Sequence, residues 1–355
     1  MLKNIRVLVP GTGTRFRCGG LSVALQTSRL LQSLRPTEVV TYRVREPSLP
    51  YLDDLLRSDS APGQSLWLVS WGFDVPGLLK RLMHRKVAYQ AHSTGYGFNL
   101  PPAVPVIAVS RNTLGYWGDK APRNPLFLVP NALESQWQER GDRSAASESR
   151  PFDVLVQERK SSAYVLEQLV PALRSKGLKV KVQKGWVDDL VEMFNSATVY
   201  IYDTAEYWRG QGVSEGFGLP PIEALSCGCI VFSSFNHALA DTLTLGETAY
   251  QIGQGSLLND VERISLAVSF PLHWRPDPET LERLLFDLSE TNFCNRWRNV
   301  LENLDHQEKL GVLGFDNLHT LRSASTAMLR WNSRFQKMKS LPAKVADRLP
   351  GWLTG

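Results

Sequence analysis

The chain has 355 residues, 43% of them hydrophobic and 21% charged, with a net charge of +5. These are the values of an ordinary globular protein, and no apolar run approaches the ~20 residues of a membrane-spanning helix. The length is more than one core usually takes and suggests two domains.

The N-terminal MLKNIRVLVPGTG has too short an apolar run for a signal peptide and reads as a first buried strand, so a cytoplasmic protein is expected. Gly11 and Gly13 hint at a dinucleotide fingerprint, but Phe16 stands where Gly-x-Gly-x-x-Gly needs its third glycine, and a nicotinamide enzyme is set aside. Gly19 and Gly20 open a helical stretch whose apolar positions Leu21, Ala24, Leu25, Leu30, Leu31 and Leu34 recur at helical spacing. Around it lie strand-like runs at Ile5–Val9, Val39–Val44, Leu66–Trp71, Val87–Gln90, Val106–Val109 and Leu126–Val129. They are Val-, Ile- and Leu-rich without strict alternation, as in a parallel sheet covered on both faces. Strand–helix alternation predicts a doubly wound α/β domain.

Residues 141–150, GDRSAASESR, are small and polar and read as a linker. Alternation then restarts, with strands at Phe152–Val156, Val180–Gln183, Val199–Tyr202, Ile230–Ser233 and Ala249–Ile252, and helices at Ala163–Leu173 and Asp188–Asn195. Beyond residue 257 the pattern is helical. The four cysteines, Cys18, Cys227, Cys229 and Cys294, have neither zinc-knuckle spacing nor the density of a disulfide scaffold and are read as reduced.

Residues 214–228 read SEGFGLPPIEALSCG. Proline suits the first turn of a helix, so a helix is expected to begin near Pro221 and to end at Gly228. Gly216 and Gly218 just before it allow close backbone approach, and successive N–H groups leading into a helix form an anion site. The preceding strand ends at Tyr202, which puts the loop at the carboxyl edge of the sheet, where ligands bind in such folds. Glu215 and Glu223 beside an anion site make sense for a nucleotide sugar. The N–H groups take the diphosphate and the carboxylates accept from hydroxyls. A first-turn acid favoured by the helix dipole accounts for Glu223 alone, but not for the pair with its glycines.

This segment resembles the donor-site signature of the retaining, GT-B-fold glycosyltransferases of family 4, roughly E-G-F-G-L-P-x-x-E-A-x-A-x-G, with Ser226 replacing the usual Ala. VIAVSRNTLGYW followed by VPNALE, CGGLSVALQTSRLL and AYQAHS are similar to further family segments, and the likeness covers about residues 4–255. It implies two Rossmann-like domains facing a cleft. An acceptor-side domain spans 1–145, a nucleotide-sugar domain spans 146–320, and a basic helical tail spans 321–355. By the same resemblance Glu223 binds the donor ribose and Glu215 contacts sugar hydroxyls near the anomeric carbon. The main-chain N–H groups of Phe217, Gly218 and Leu219, with Gly216, face sugar and diphosphate. Arg159 and Lys160, closer together than the family's usual basic pair, grip the diphosphate, with Arg209 as a substitute. His92 orients the acceptor or polarises a sugar hydroxyl, or is a plain strand-end histidine. Gly19, Gly20 and Ser93 form the facing cleft loops, although the two glycines are also read as a simple tight turn. The usual Pro-Ser step is replaced by a longer aromatic loop, residues 203–213.

The implied reaction is retaining transfer of a sugar from a nucleoside-diphosphate sugar to a glycan or lipid-linked glycan hydroxyl, in surface or extracellular polysaccharide synthesis. No Asp-x-Asp motif is present, so neither metal nor other cofactor is expected, and no nucleic-acid partner is expected. A catalytically silent nucleotide-sugar-binding subunit and a nucleotide-sugar epimerase are the alternatives. Residues 321–355 carry seven basic residues against Asp347 alone, so the remaining 320 sum to −1. A stripe of Trp331, Phe335, Met338 and Leu341 is expected to pack back on the first domain. Residues 342–355, with Lys344, Arg348 and Trp352, suit either solvent or the anionic inner face of a membrane.

Overall fold

The computed structural model describes residues 2–58, 63–102, 104–140, 150–253 and 255–309. Residues 141–149 of the expected linker and the whole basic tail 321–355, with its aromatic stripe, lie outside the described residues.

The first half runs β1 (Asn4–Val9), α1 (Gly19–Leu31), β2 (Thr37–Thr41), α2 (Leu52–Ser58), β3 (Ser65–Val69), α3 (Val75–Arg81), β4 (Lys86–Ala91), β5 (Val106–Ala108), α4 (Arg111–Lys120) and β6 (Leu126–Leu128). The strands form one parallel sheet in the order β2-β1-β3-β4-β5-β6. Val7 of β1 pairs with Val39 on one side and Leu68 on the other. All five residues of β3 are buried, because helices cover both faces of the sheet. That double burial is why these strands read as continuous apolar runs.

The second half runs β7 (Phe152–Gln157), a π-helix at Tyr164–Leu169 that passes into α5 (Val170–Ser175), β8 (Val180–Gln183), α6 (Leu190–Asn195) and β9 (Ala197–Tyr202). Then follow α7 (Ala205–Gln211), α8 (Leu219–Ser226), β10 (Ile230–Ser233), α9 (Leu239–Thr242), β11 (Tyr250–Gln251), α10 (Leu257–Ser269), α11 (Pro278–Asp287) and α12 (Glu290–Lys309). Its sheet is also parallel, in the order β11-β10-β9-β7-β8. Each expected strand is present. The stretch 203–213, read as a loop, contains α7, whose left-handed C-cap is Gly212. Asp189 caps α6 by accepting from the Glu192 N–H at 2.8 Å.

The second sheet follows the 2-1-3-4-5 doubly wound order and the first the same order with a sixth strand added, so each has its topological switch point between its first and third strands. In the second sheet this lies between β7 and β9.

Among the described residues the chain crosses between the halves twice. The second crossing ends in α12, which packs Phe293, Trp297, Val300, Leu301 and Leu304 into the core of the first half. Burying each such side chain stabilises by about 2 kcal/mol. Arg35 pairs with Asp305 at 2.5 Å, and Arg29–Glu290 and Lys86–Glu308 add two further ion pairs. The return to the first half is thus made by residues 290–309, well before the tail. The two crossings are bonded to each other where the Leu133 N–H donates to the Leu288 carbonyl at 2.8 Å.

Candidate functional site

The loops that leave β7 and β9 flank the switch point of the second sheet. They are stitched together by the Ser162 N–H, which donates to the Asp203 carbonyl at 3.1 Å, and by the Ser162 hydroxyl, which donates to the Asp203 carboxylate at 2.7 Å. Arg159 and Lys160 stand on the first of these loops. Lys160 is held at φ 75°, a left-handed conformation that side chains rarely adopt and that is found enriched at ligand clamps. Its ammonium lies 4.4 Å from the centre of the Trp208 ring. Burial lowers its pKa from the ordinary lysine value, and the charge of Glu215 opposes that fall. Arg159 is exposed, as is Arg209 in the last turn of α7.

The loop 214–218 enters α8 two residues earlier than Pro221. Pro220 sits in the first turn and Gly218 is the N-cap at φ 84° and ψ 54°. A Cβ on Gly218 would lie 2.3 Å from Leu239 Cδ2. Phe217 turns its ring into the core, 5% exposed, and Leu219 packs against the same cluster. Those buried side chains fix a backbone whose N–H groups at Gly216, Phe217, Gly218 and Leu219 find no acceptor among the described residues. Pro220 and Pro221 carry no N–H, so the free donors are concentrated at that one turn. α8 ends as expected, with Cys227 at the C-cap and Gly228 at φ 74°.

The two glutamates occupy opposite situations. Glu215 is 6% exposed. Its Oε2 accepts from the Trp208 indole N–H at 2.6 Å, the Tyr202 hydroxyl at 2.7 Å and the Thr204 hydroxyl at 3.3 Å. Burial, then the charge of Glu215, raise the Tyr202 pKa well above the ordinary phenol value, so that hydroxyl is a permanent donor. With Oε2 committed, Oε1 is the oxygen left for a ligand. The carboxylate of Glu223, half-buried on α8, accepts no hydrogen bond from any described residue. Burial first, and the charge of Glu134 second, push its carboxyl up to about 8. A carboxyl left unsatisfied at such a position is set to receive a donor from outside the chain.

The first half meets this loop edge to edge. The His92 carbonyl, at the end of β4, lies so close to Gly216 that a Cβ there would come within 1.4 Å of it. Ser93 donates to the Ser214 carbonyl at 2.6 Å and accepts from the Ser214 N–H at 3.2 Å. Thr94 and Asn112 both donate to the Ser214 hydroxyl, at 2.9 and 3.3 Å, and the Asn112 N–H donates to Asp241 at 3.0 Å. Ser93 therefore holds the two halves together, and its hydroxyl is spent on that contact. The His92 Nε2 is buried and makes no hydrogen bond. Burial pulls its pKa down to about 4, so the ring is neutral at pH 7 and is not a satisfied strand-end histidine. Gly19 and Gly20 are exposed in the first turn of α1, and a Cβ on either meets nothing closer than 3.8 Å. The tight-turn explanation of these glycines finds no steric support.

The structure thus brings Lys160, Glu215, Glu223 and the 216–219 backbone to one switch point, with His92 and Ser93 against it. Sequence reading missed Trp208, Tyr202 and Thr204, the three donors to Glu215, and Ser214 and Asn112 in the inter-domain contact. Only Trp208 had a signal, as part of the aromatic stretch that replaces the Pro-Ser step. A separate cavity of about 250 Å³, lined among others by Arg111, Asp241, Leu288 and Arg296, shares only Phe217 with the site.

Two facing, doubly wound parallel sheets with a returning C-terminal helix define the GT-B fold. Residues 167–269 match the family described as Glycosyl transferases group 1, a span that contains both glutamates. No curated protein sequence matches the chain. Solved structures of similar fold include sucrose-phosphate synthase from Thermosynechococcus elongatus, with 15% identity and TM-score 0.61 over 86% of this chain and 99% of that one. A glycosyltransferase from Rickettsia africae has 11% identity and TM-score 0.60 over 87% and 99%. Anabaena Alr3699/HepE in complex with UDP and glucose has 12% identity and TM-score 0.61 over 85% and 100%. At these identities the likeness is one of fold.

Proposed function

We propose that the chain is a retaining glycosyltransferase that moves a sugar from a nucleoside-diphosphate sugar to a hydroxyl of a glycan or lipid-linked glycan, in surface or extracellular polysaccharide synthesis. The observation that carries this reading is the pairing of an unsatisfied carboxyl, Glu223, with four unpaired backbone N–H groups at the 216–219 turn and the half-buried Lys160 beside them. Hydroxyl acceptor, anion donors and cation together match ribose, sugar and diphosphate. The UDP and glucose bound by Anabaena HepE, a protein of the same fold, support a nucleotide-sugar donor.

In the proposed reaction the bond from the anomeric carbon to the diphosphate oxygen breaks and its electron pair stays on the diphosphate. The acceptor oxygen bonds to the anomeric carbon on the same face, and the acceptor proton passes to the departing phosphate. Lys160, Arg159 and the N–H groups of Phe217, Gly218 and Leu219 hold the negative charge that develops, which is the largest single contribution such sites make. Glu215 Oε1 meets the sugar hydroxyls, and Glu223 the ribose. His92, neutral, accepts from or donates to a sugar or acceptor hydroxyl. Gly19, Gly20 and the first domain line the acceptor side. Arg209, exposed in the last turn of α7, is the substitute cation for the diphosphate. Side chains and backbone supply the positive charge that a metal supplies elsewhere, so transfer is expected to survive chelation by EDTA.

The test is a screen of nucleotide sugars for binding and hydrolysis, followed by Glu215→Gln. Loss of turnover by about 100-fold, with UDP affinity within about threefold, is the expected result for a group acting on the sugar. Equal turnover in Glu215→Gln would remove its assigned role, and binding without turnover in the wild type would favour a silent binding subunit.

A further inference from the structure

Trp208 touches both charged groups of the site. Its indole N–H donates to Glu215 Oε2 at 2.6 Å, and its ring face lies 4.4 Å from the Lys160 ammonium. It stands on α7, the short helix that occupies the stretch 203–213. Its own ring is braced edge-on by Tyr207, with centroids 5.0 Å apart. An indole is suited to both contacts at once. Its face carries negative potential that attracts an ammonium, and its edge carries a single N–H that can only donate.

We infer that Trp208 is a positioning residue that couples the Glu215 carboxylate to the Lys160 ammonium, so that sugar and diphosphate are gripped by one rigid unit. Three features of the geometry support it. Lys160, whose ammonium faces the ring, is held at φ 75°, a strained backbone conformation for a side-chain-bearing residue. No carboxylate of the described residues lies within ion-pair distance of the Lys160 ammonium, which instead faces the Trp208 ring. Glu215 has its Oε2 turned to Trp208, Tyr202 and Thr204, which leaves Oε1 in one defined orientation. The inference rests on the donor-site reading above and adds to it the residue that sets the relative position of acid and cation.

The two contacts can be separated by substitution. Trp208→Phe keeps a face for Lys160 and removes the N–H. Trp208→Leu removes both. UDP binding by calorimetry and hydrolysis of UDP-glucose, with GDP, ADP and dTDP and their glucose derivatives in parallel, read the two ends of the site. Trp208→Phe is expected to lower kcat about tenfold or more with Kd for the diphosphate within about threefold, because a hydrogen bond to a charged group is lost on the sugar side only. Trp208→Leu is expected to weaken diphosphate binding as well, by about fivefold. Unchanged kcat and Kd in both variants would overturn the inference. So would a melting temperature of Trp208→Phe below the assay temperature, since the role would then be structural. If the wild type binds none of the four diphosphates, the donor-site reading itself fails and this inference falls with it. If the wild type binds and turns over while both variants behave like it, only the role of Trp208 is lost.

Discussion

Glu223→Gln tests the site through its proton. Burial pushes the half-buried Glu223 carboxyl up to about 8, so it carries about 0.9 of a proton at pH 7. Hydrogen bonds donated by ribose hydroxyls favour the ionised form, so nucleotide binding is expected to expel that proton. At ~1.36 kcal/mol per pH unit, ionising the group at pH 6 costs about 2.7 kcal/mol, and above pH 8 almost nothing. UDP affinity of the wild type, relative to Glu223→Gln, should therefore rise about tenfold per unit from pH 6 to 8 and then level off. Calorimetric titration at pH 7 in two buffers of different ionisation enthalpy should show about 0.9 more proton released per UDP by the wild type than by the variant. Stability should move the other way. The folded pKa lies above the unfolded one, so the stability tied to this carboxyl is present below the ordinary glutamate value and is lost as pH rises toward 8. Glu223→Gln should then melt higher than the wild type at pH 8.5, by up to ~5 kcal/mol in stability, and close to it at pH 4. A pH-independent affinity ratio, or equal proton release in the two proteins, would refute the idea that this carboxyl receives the ribose.

Gly19→Ala and Gly20→Ala should leave thermal stability unchanged or raise it by about 0.5 kcal/mol, since neither Cβ meets an obstacle. Transfer should nevertheless fall, and undiminished transfer would show that no substrate approaches that turn. Gly216→Ala drives a Cβ into the His92 carbonyl and is expected to hold the halves apart, measurable as a larger radius of gyration by small-angle scattering with little change in circular dichroism. An unchanged radius with full activity would contradict that. Lys160→Ala should weaken UDP binding by about tenfold or more and Arg159→Ala by less, because Lys160 is packed on Trp208 while Arg159 is exposed. Equal losses measured by titration would put both cations on the diphosphate.

Eleven strands were legible because strand periodicity and apolar runs report double burial directly, as at Ile5–Val9 and Ile230–Ser233. α7 was not legible. Its run AEYWRGQ has no buried residue and so no apolar stripe to mark a helix. The fold class, the turn before α8 and the identity of both glutamates followed from sequence, because glycine, proline and acid at fixed spacing carry their constraints locally. What sequence could not supply was the difference between those acids. Glu215 has three donors drawn from the end of β9, the N-cap of α7 and α7 itself, while the Glu223 carboxylate has none and feels Glu134 from the inter-domain crossing. Nor could it show that Ser93 spends its hydroxyl on Ser214, or that α12 packs into the core of the first half. Spacing along a chain specifies which groups are offered at a sheet edge. Which of them are satisfied, and so which are left for a ligand, depends on neighbours that only the folded chain brings within reach.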